Sequence, residues 1–204
     1  SDKYIGGGGI QLQNGGSCVM RGGSVSENAF YLKNQGWNWN SVFGGGGIYV
    51  GNGSTFTMEG GSVTDNTAQD KTSGSYLFAG GGVATSKEGI AHLKGGSVSG
   101  NRCTDQNGGA FPGSQIAINT QKSKANEISL KSMTVAGNRL SSDVSVYFGI
   151  DTILEDTKID GVLSVEDEAE IHLRGGSSLT HLKAHYMGVN PVYLDEGYTP
   201  DGTA

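Results

Sequence analysis

Several features that would define a domain or its location are scarce in this sequence. The 204 residues include two cysteines and three prolines, and charged residues make up 17% of the chain. No run of about twenty apolar residues occurs, so we expect no membrane insertion by this fragment. The net charge of −6 argues against nucleic acid as a partner, because a phosphate-binding surface needs clustered Lys and Arg. No signal peptide is evident, and we interpret the chain as a fragment because it starts almost inside a repeat.

Glycine, in contrast, is abundant and supplies 36 of the 204 residues. A chain rich in Gly, Ser, Thr and Asn is either a disordered linker or an architecture with many tight corners, where Gly adopts positive φ without strain. Periodicity distinguishes the two, because a linker does not keep apolar residues in register from one repeat to the next.

A long motif recurs along the chain. Ile10 is followed by Ile48 after 38 residues and by Val83 after a further 35. Two fainter copies occupy residues 108–138 and 171–179. The clear copies read GGGGIQLQNGGSCVMRGGSVSENA at 6–29, GGGGIYVGNGSTFTMEGGSVTDNT at 44–67 and GGGVATSKEGIAHLKGGSVSGNR at 80–102.

Each copy contains three short segments rich in strand-forming residues; in the second copy these are Ile48–Val50, Thr55–Met58 and Ser62–Thr64. Strands this short are unstable alone, but stacked coil on coil they form parallel ladders. Apolar residues alternate at matching positions in successive copies, which indicates one buried face. We therefore predict an all-β fold, a right-handed single-stranded parallel β-helix (solenoid) of about five coils with side-loop insertions.

An asparagine recurs at one corner of each copy. Asn tolerates the left-handed conformation that sharp corners need. Stacked amides also hydrogen-bond along the axis of the solenoid. We therefore predict a structural ladder of side chains at Asn28, Asn66, Asn101 and Asn138.

The two cysteines fall on the first and third coils. Two coil steps separate Cys18 from Cys103 by about 10 Å, beyond the reach of a disulfide. Cys18 aligns with the inward positions, so we expect it to be a buried thiol.

The run GGGIYV…TFTMEGGSVTDNTA resembles the β-helix repeats of bacterial surface proteins. These include chlamydial polymorphic outer-membrane proteins, with GGAI and FxxN motifs, and gut-bacterial surface proteins with GGG(I/V)YV…GG(S/T)(I/V)SGN(T)A repeats. GGAF at 108–111 is close to GGAI, whereas no FxxN motif is intact. The resemblance covers residues 5–140 well and 141–180 weakly. It implies an extracellular location at the bacterial cell surface and an adhesin-like or passenger-type role within a larger modular chain.

The domain organisation follows the glycine density. We assign residues 1–181 to the parallel β-helix, with regular repeats over 1–140 and irregular coils over 141–181. Residues 182–204 contain two of the three prolines, and we predict that they form a C-terminal cap or a linker to the next module.

Two insertions that follow the recurring asparagine are rich in aromatic residues. Trp rings flanked by Asn amides suit sugar binding, because apolar sugar faces stack on rings and hydroxyl groups bond to amides. The alternative is that these aromatic side chains pack on the side of the solenoid or cover its N-terminal end. We predict that the chain is a monomer and that its partner is a host or microbial glycan or a surface protein. The predicted ligand-binding residues are Trp37, Trp39, Asn38, Asn40, Tyr31 and Tyr76.

Two other function classes stay open. A polysaccharide lyase or glycoside hydrolase on a pectate-lyase-like β-helix needs clustered carboxylates in a groove, and in the repeats they are scattered. A structural spacer needs neither carboxylates nor exposed aromatic residues. We assign no catalytic residue, metal ligand or cofactor, and the spacing of the acidic stretch at 151–170 fits neither an EF-hand nor a nonapeptide Ca²⁺ repeat. A row of basic residues at 21, 94, 131 and 174, interrupted by Glu59, is expected to be an exposed ladder.

Overall fold

The computed structural model describes residues 5–32, 42–71, 77–120, 128–137, 144–165, 169–184 and 192–195. All regular elements within these ranges are β-strands. Accordingly, no helix in the described ranges has the length and hydropathy needed to cross a bilayer. The strands, in chain order, are β1 (Ile5–Gly7), β2 (Ile10–Leu12), β3 (Ser17–Met20), β4 (Ser24–Ser26), β5 (Ala29–Leu32), β6 (Val42–Gly45), β7 (Ile48–Val50), β8 (Thr55–Met58), β9 (Ser62–Thr64), β10 (Thr67–Asp70), β11 (Leu77–Gly80), β12 (Val83–Thr85), β13 (Ile90–Leu93), β14 (Gly96–Ser99), β15 (Arg102–Thr104), β16 (Ile116–Ile118), β17 (Ile128–Lys131), β18 (Met133–Ala136), β19 (Val144–Phe148), β20 (Thr152–Glu155), β21 (Lys158–Val165), β22 (Ile171–Arg174), β23 (Ser178–Ala184) and β24 (Val192–Leu194).

Each strand pairs in parallel with the equivalent strand of the next coil. Ile10 pairs with Ile48, and Ile48 pairs with Val83, so the sequence repeat is also the structural repeat. The predicted parallel β-helix is confirmed. One sheet follows the order β24-β22-β20-β17-β13-β8-β3. Its seven rungs exceed the five coils predicted, because the last coils have lost the glycine landmarks and are shorter.

The first three coils contain more strands than the three per coil that the sequence predicts. Two additional sheets, β1-β6-β11 and β15-β10-β5, complete these coils. The first contains the start of the glycine run, and the second follows the recurring asparagine. Glycine is depleted in ordinary strands, so the glycine run gave no strand signal in the sequence.

The solenoid narrows toward the C-terminus. Thr55 pairs with Ile90, 35 residues further on, whereas Thr152 pairs with Ile171, 19 residues further on. Strand β21 explains the change, because its first half pairs with β18 and its second half with β19. One long strand therefore replaces two sides of the earlier coils, and β23 stacks along the whole of it. The predicted domain boundary between residues 181 and 182 falls inside β23.

Side chains alternate between the interior and the surface, as the period of two predicts. In β8, Phe56 and Met58 are buried, while Thr57 between them is partly exposed. The core therefore consists of stacked rows of apolar side chains that follow the axis. Its main members are Met20, Ile48, Val50, Phe56, Met58, Val63, Val83, Leu93, Val98, Ile116, Ile118, Leu130, Val135, Phe148, Leu154, Leu163, Ile171 and Leu173.

The asparagine amides form a continuous hydrogen-bonded row. The backbone N–H and Nδ2 of Asn28 both donate to Oδ1 of Asn66, each at 3.0 Å. Asn66 in turn donates from its backbone N–H and Nδ2 to Oδ1 of Asn101, at 3.0 and 2.9 Å. Asn101 repeats the pattern toward Oε1 of Gln115, at 3.1 and 2.9 Å. Gln115 thus occupies the place after Asn101; Asn138 lies outside the described residues.

We predicted that the asparagines of this row adopt the left-handed conformation themselves, and this is wrong for Asn28, Asn66 and Asn101. The residue before each of them does so: Glu27 and Asp65 at φ 57° and Gly100 at φ 67°. The asparagines are therefore required for their amides, which satisfy buried backbone groups at the corner.

The two cysteines lie in different parts of the interior, and neither forms a disulfide. Cys18 packs partly buried against the main core on the first rung. Cys103 is buried in a smaller cluster with Leu32 and Ala68, behind the sheet β15-β10-β5. The expected absence of a bridge between them agrees with this separation.

Replacing Asn66 by Ala should destabilise the fold by about 3 kcal/mol, because the change leaves buried donors and acceptors of two neighbouring rungs without partners. Asn66 is fully buried and its Nδ2 also donates to the carbonyl of Val25 at 2.9 Å. Urea unfolding followed by circular dichroism measures the loss.

The matched control is Asn28→Ala on the first rung, where the side chain is partly exposed and water replaces the missing partners. We expect this variant to lose about 1 kcal/mol. Equal losses in the two variants would contradict the cooperative amide row.

Candidate binding face

Most of the predicted ligand-binding residues lie outside the described residues: Trp37, Asn38, Trp39, Asn40 and Tyr76. Tyr31 is described, and so are the strands that precede and follow both insertions. These strands form the surface that carries the insertions. We call the outward side of the sheet β15-β10-β5, together with Lys71, the binding face.

The two aromatic insertions start and end on adjacent rungs. Before them, Leu32 of β5 pairs with Asp70 of β10. After them, Val42 of β6 pairs with Leu77 of β11. Adjacent strands in a sheet are about 4.8 Å apart. Residues 33–41 and 72–76 are therefore attached to the solenoid at neighbouring points.

The interior side of the same sheet is held by close packing. Phe30 and Phe111 pack against the small cluster that contains Leu32 and Cys103. The ring of Phe30 lies directly over the backbone of Gly6 and Gly44, where any Cβ atom would collide with it. Glycine is therefore required at these positions, and the close approach fixes the sheet against β1 and β6.

Tyr31 lies on the outward side, with 44% of its surface exposed. The Nζ atom of Lys71 is 4.0 Å from the centroid of its ring, which is a cation–π contact. One face of the ring is thus covered by an ammonium group and is not available for stacking on a sugar. Lys71 was not among the predicted residues. The register of the repeats could have indicated it, because Tyr31 pairs with Gln69 and Lys71 is the next outward position.

The rest of the binding face is polar. Gln69 lies beside Tyr31, and its Nε2 donates to the carbonyl of Asp105 at 3.2 Å. Arg102 is exposed at the start of β15, and Thr104 is partly exposed near its end. These side chains present hydrogen-bond donors and positive charge, which suits binding of a polar ligand.

A second polar cluster joins the last two rungs of the seven-stranded sheet. Nδ1 of His172 lies 2.9 Å from Asp195, and its Nε2 lies 3.2 Å from Glu170. Arg174 donates to the other carboxylate oxygen of Asp195 at 2.6 Å. The ring of Tyr193 stacks on His172, with 4.9 Å between centroids.

The ionisation of this cluster is set by its hydrogen bonds. The bond to Asp195 raises the pKa of His172 above its usual value; Glu170 adds to this effect, and desolvation opposes it. The bonds from His172 and Arg174 lower the pKa of Asp195. Both ring nitrogens of His172 are occupied, so the imidazole has no free position from which to take a proton from a substrate. We interpret the cluster as a pin that holds β24 on β22.

Two members of the basic row that we expected to be exposed pair with acidic residues on the next rung. Lys131 bonds to Glu155 at 2.7 Å, and Arg21 bonds to Glu59 at 3.2 Å. The pairing of Glu155 with Lys131 and the contacts of Asp195 were not anticipated, because both acidic residues belong to the short coils whose register the sequence did not reveal. Exposed pairs of this kind contribute little to stability, because solvent screens their charges. Among the described residues, no group of three or more His, Cys, Asp and Glu is placed to hold a metal ion.

Comparison with protein-family models, with curated proteins and with solved structures finds no match to this chain.

The raised pKa of His172 predicts how pH affects stability. The protonated form is favoured by folding, so the pin contributes fully below the usual pKa of about 6.5 and is lost as pH rises through the higher folded value. The free energy of unfolding of the wild type, minus that of His172→Gln, should therefore decrease from about pH 5.5 to about pH 8.5.

His92→Gln is the matched control on the same face of the sheet. Burial, with a smaller contribution from Lys94, lowers the pKa of His92. Folding therefore favours its neutral form. The free energy of unfolding of the wild type, minus that of His92→Gln, should therefore increase with pH. Chemical denaturation at several pH values measures both slopes, and a flat profile for His172→Gln would contradict the pin.

Proposed function

We propose that this chain is an adhesin-like module of an extracellular bacterial surface protein, and that it binds a glycan or a protein through the insertions on one side of the solenoid. The observation that carries the proposal is the attachment of two aromatic insertions to adjacent rungs, shown by the pairs Leu32–Asp70 and Val42–Leu77. The strands that flank the two insertions therefore lie on adjacent rungs and give both insertions a common rigid support.

The architecture supports a binding role in a second way. A solenoid is quasi-one-dimensional, so each coil depends on its neighbours, while the insertions are free to vary without disturbing the ladders. The polar, positively charged binding face beside the insertions extends the surface that a ligand would contact. In this proposal the module acts as a monomer at the cell surface.

The carbohydrate-degrading alternative has less support from the described residues. The cluster that brings two carboxylates together, Glu170 and Asp195, lies on the outward side of a sheet and is neutralised by His172 and Arg174. Catalysis of glycoside cleavage needs a carboxyl group that is free to donate or accept a proton. A spacer role is distinguished from binding by experiment.

Screening the folded chain on a glycan array, beside the double variant Trp37→Ala/Trp39→Ala, tests the proposal. We expect specific binding by the wild type and a loss of at least tenfold in the double variant, because stacking on Trp rings contributes most of the affinity of such platforms. The control is Val19→Ala, which removes an exposed apolar side chain from another sheet.

Retention of full binding by the double variant would contradict the role of the two Trp residues. Absence of binding by the folded wild type to glycans, and to a panel of host surface proteins, would leave the spacer as the better account.

A further inference from the structure

The binding face has a charge opposite to that of the whole chain. The net charge of the chain is −6, yet the outward positions of this face include two cations and no carboxylate. Carboxylates occur in the turns at either end, at Glu27 and Asp65 before the strands and at Asp105 after them. The outward residues are Ala29, Tyr31, Thr67, Gln69, Lys71, Arg102 and Thr104.

Neither cation is neutralised by the described residues. Lys71 is exposed, and the contact that positions it is the one with the Tyr31 ring, at 4.0 Å. Arg102 is exposed and forms no ion pair within the described part of the chain. A ring restrains a lysine without consuming its hydrogen-bond donors, which lowers the entropy lost when an anion binds. Asp105, in contrast, is engaged by its own turn, since its Oδ1 accepts from the N–H of Asn107 and of Gly109 at 2.8 and 2.7 Å.

The spacing of the two cations indicates an extended ligand. Arg102 pairs with Thr67, and Lys71 lies four residues beyond Thr67 on the same side. Four residues along a strand and one step between strands place their Cα atoms about 14 Å apart. The ammonium group of Lys71 lies over the ring of Tyr31 in β5, on the side of β10 opposite to β15, which carries Arg102. This arrangement favours a chain with repeated negative charges over a single small anion.

We infer that the ligand of the binding face is an anionic glycan, a polysaccharide with carboxylate or sulfate groups, and that Lys71 and Arg102 are its anchors. This inference rests on the proposed function and specifies its ligand class. A nucleic acid is disfavoured, because its binding derives from neutralising many phosphates, and the chain has an excess of acidic groups. An acidic polysaccharide combines charged groups, which two cations can anchor, with hydroxyl groups, which the polar side chains of the binding face can bind.

Isothermal titration of the whole chain with two matched pairs of probes tests the inference. The probes are oligogalacturonate and hyaluronan oligosaccharides, each beside its methyl-esterified and uncharged form. We expect the charged form of at least one pair to bind more tightly than its ester, with an affinity that decreases as salt increases. Lys71→Gln and Arg102→Gln should each weaken binding by roughly tenfold.

Two further variants separate charge from folding. Lys71→Arg retains a cation over the Tyr31 ring and should keep most of the affinity. Lys94→Gln removes an exposed cation from the seven-stranded sheet and should leave binding unchanged. Thermal unfolding of each variant verifies that the fold is intact.

Each outcome decides a different point. Equal binding of charged and esterified forms, unaffected by Lys71→Gln, would overturn the inference and leave the proposed glycan-binding function standing. Binding of a single-stranded oligonucleotide with the same dependence on Lys71 and Arg102 would overturn the assignment to glycans. No binding to any probe would overturn the inference, and the glycan array then decides whether the proposed function survives.

Discussion

Parallel hydrogen bonding between successive coils is the constraint on which the rest of the structure depends. A strand of three or four residues has no stability of its own, and each coil is completed by the coil before and the coil after it. The consequence is visible at the last rung. Val192 and Leu194 stack on Ile171 and Leu173 at inward positions, yet 43% and 64% of their surfaces are exposed. Ile171 and Leu173, the equivalent side chains one rung earlier, are buried. Burial of a side chain in this fold therefore requires a neighbouring coil on both sides.

The same constraint explains which features could be predicted from the sequence. Stacking requires identical environments every coil, so Phe56 and Met58 and their equivalents repeat, and the period revealed the ladders and the core. The extra sheets, the narrowing and the place of Gln115 in the amide row could not be predicted. One extra sheet contains a glycine run, and glycine is a weak strand former. The short coils changed the period of the repeat. Gln115 lies 14 residues after Asn101, to which its side-chain amide is hydrogen-bonded, so it does not follow the repeat spacing. These features satisfy the geometry of one corner rather than repeat a motif.

The candidate site shows a similar division. The sequence indicated the aromatic insertions and Tyr31, because aromatic residues and asparagines break the glycine pattern. It did not single out Lys71: the repeat spacing places Lys71 one outward position beyond the partner of Tyr31, but no motif of its own marks a contact between two coils. The contact changes the expected role of Tyr31, whose ring holds the ammonium group of Lys71 and does not present both of its faces to a sugar. The binding face therefore favours negatively charged ligands, which the composition of the chain does not reveal.

Disulfide trapping measures the register of adjacent coils, on which the fold and both functional proposals depend most directly. In a background with both native cysteines replaced by Ser, Thr57→Cys/His92→Cys joins two residues that pair directly, with Cα atoms within the range of about 4.4–6.8 Å that a disulfide spans. Val19→Cys/His92→Cys joins positions two rungs apart, at about 10 Å. We predict that mild oxidation, followed by mass spectrometry of the folded monomer, yields the first bridge and not the second. Formation of the second bridge in preference to the first would contradict the coil-on-coil register and the functional proposals that depend on it.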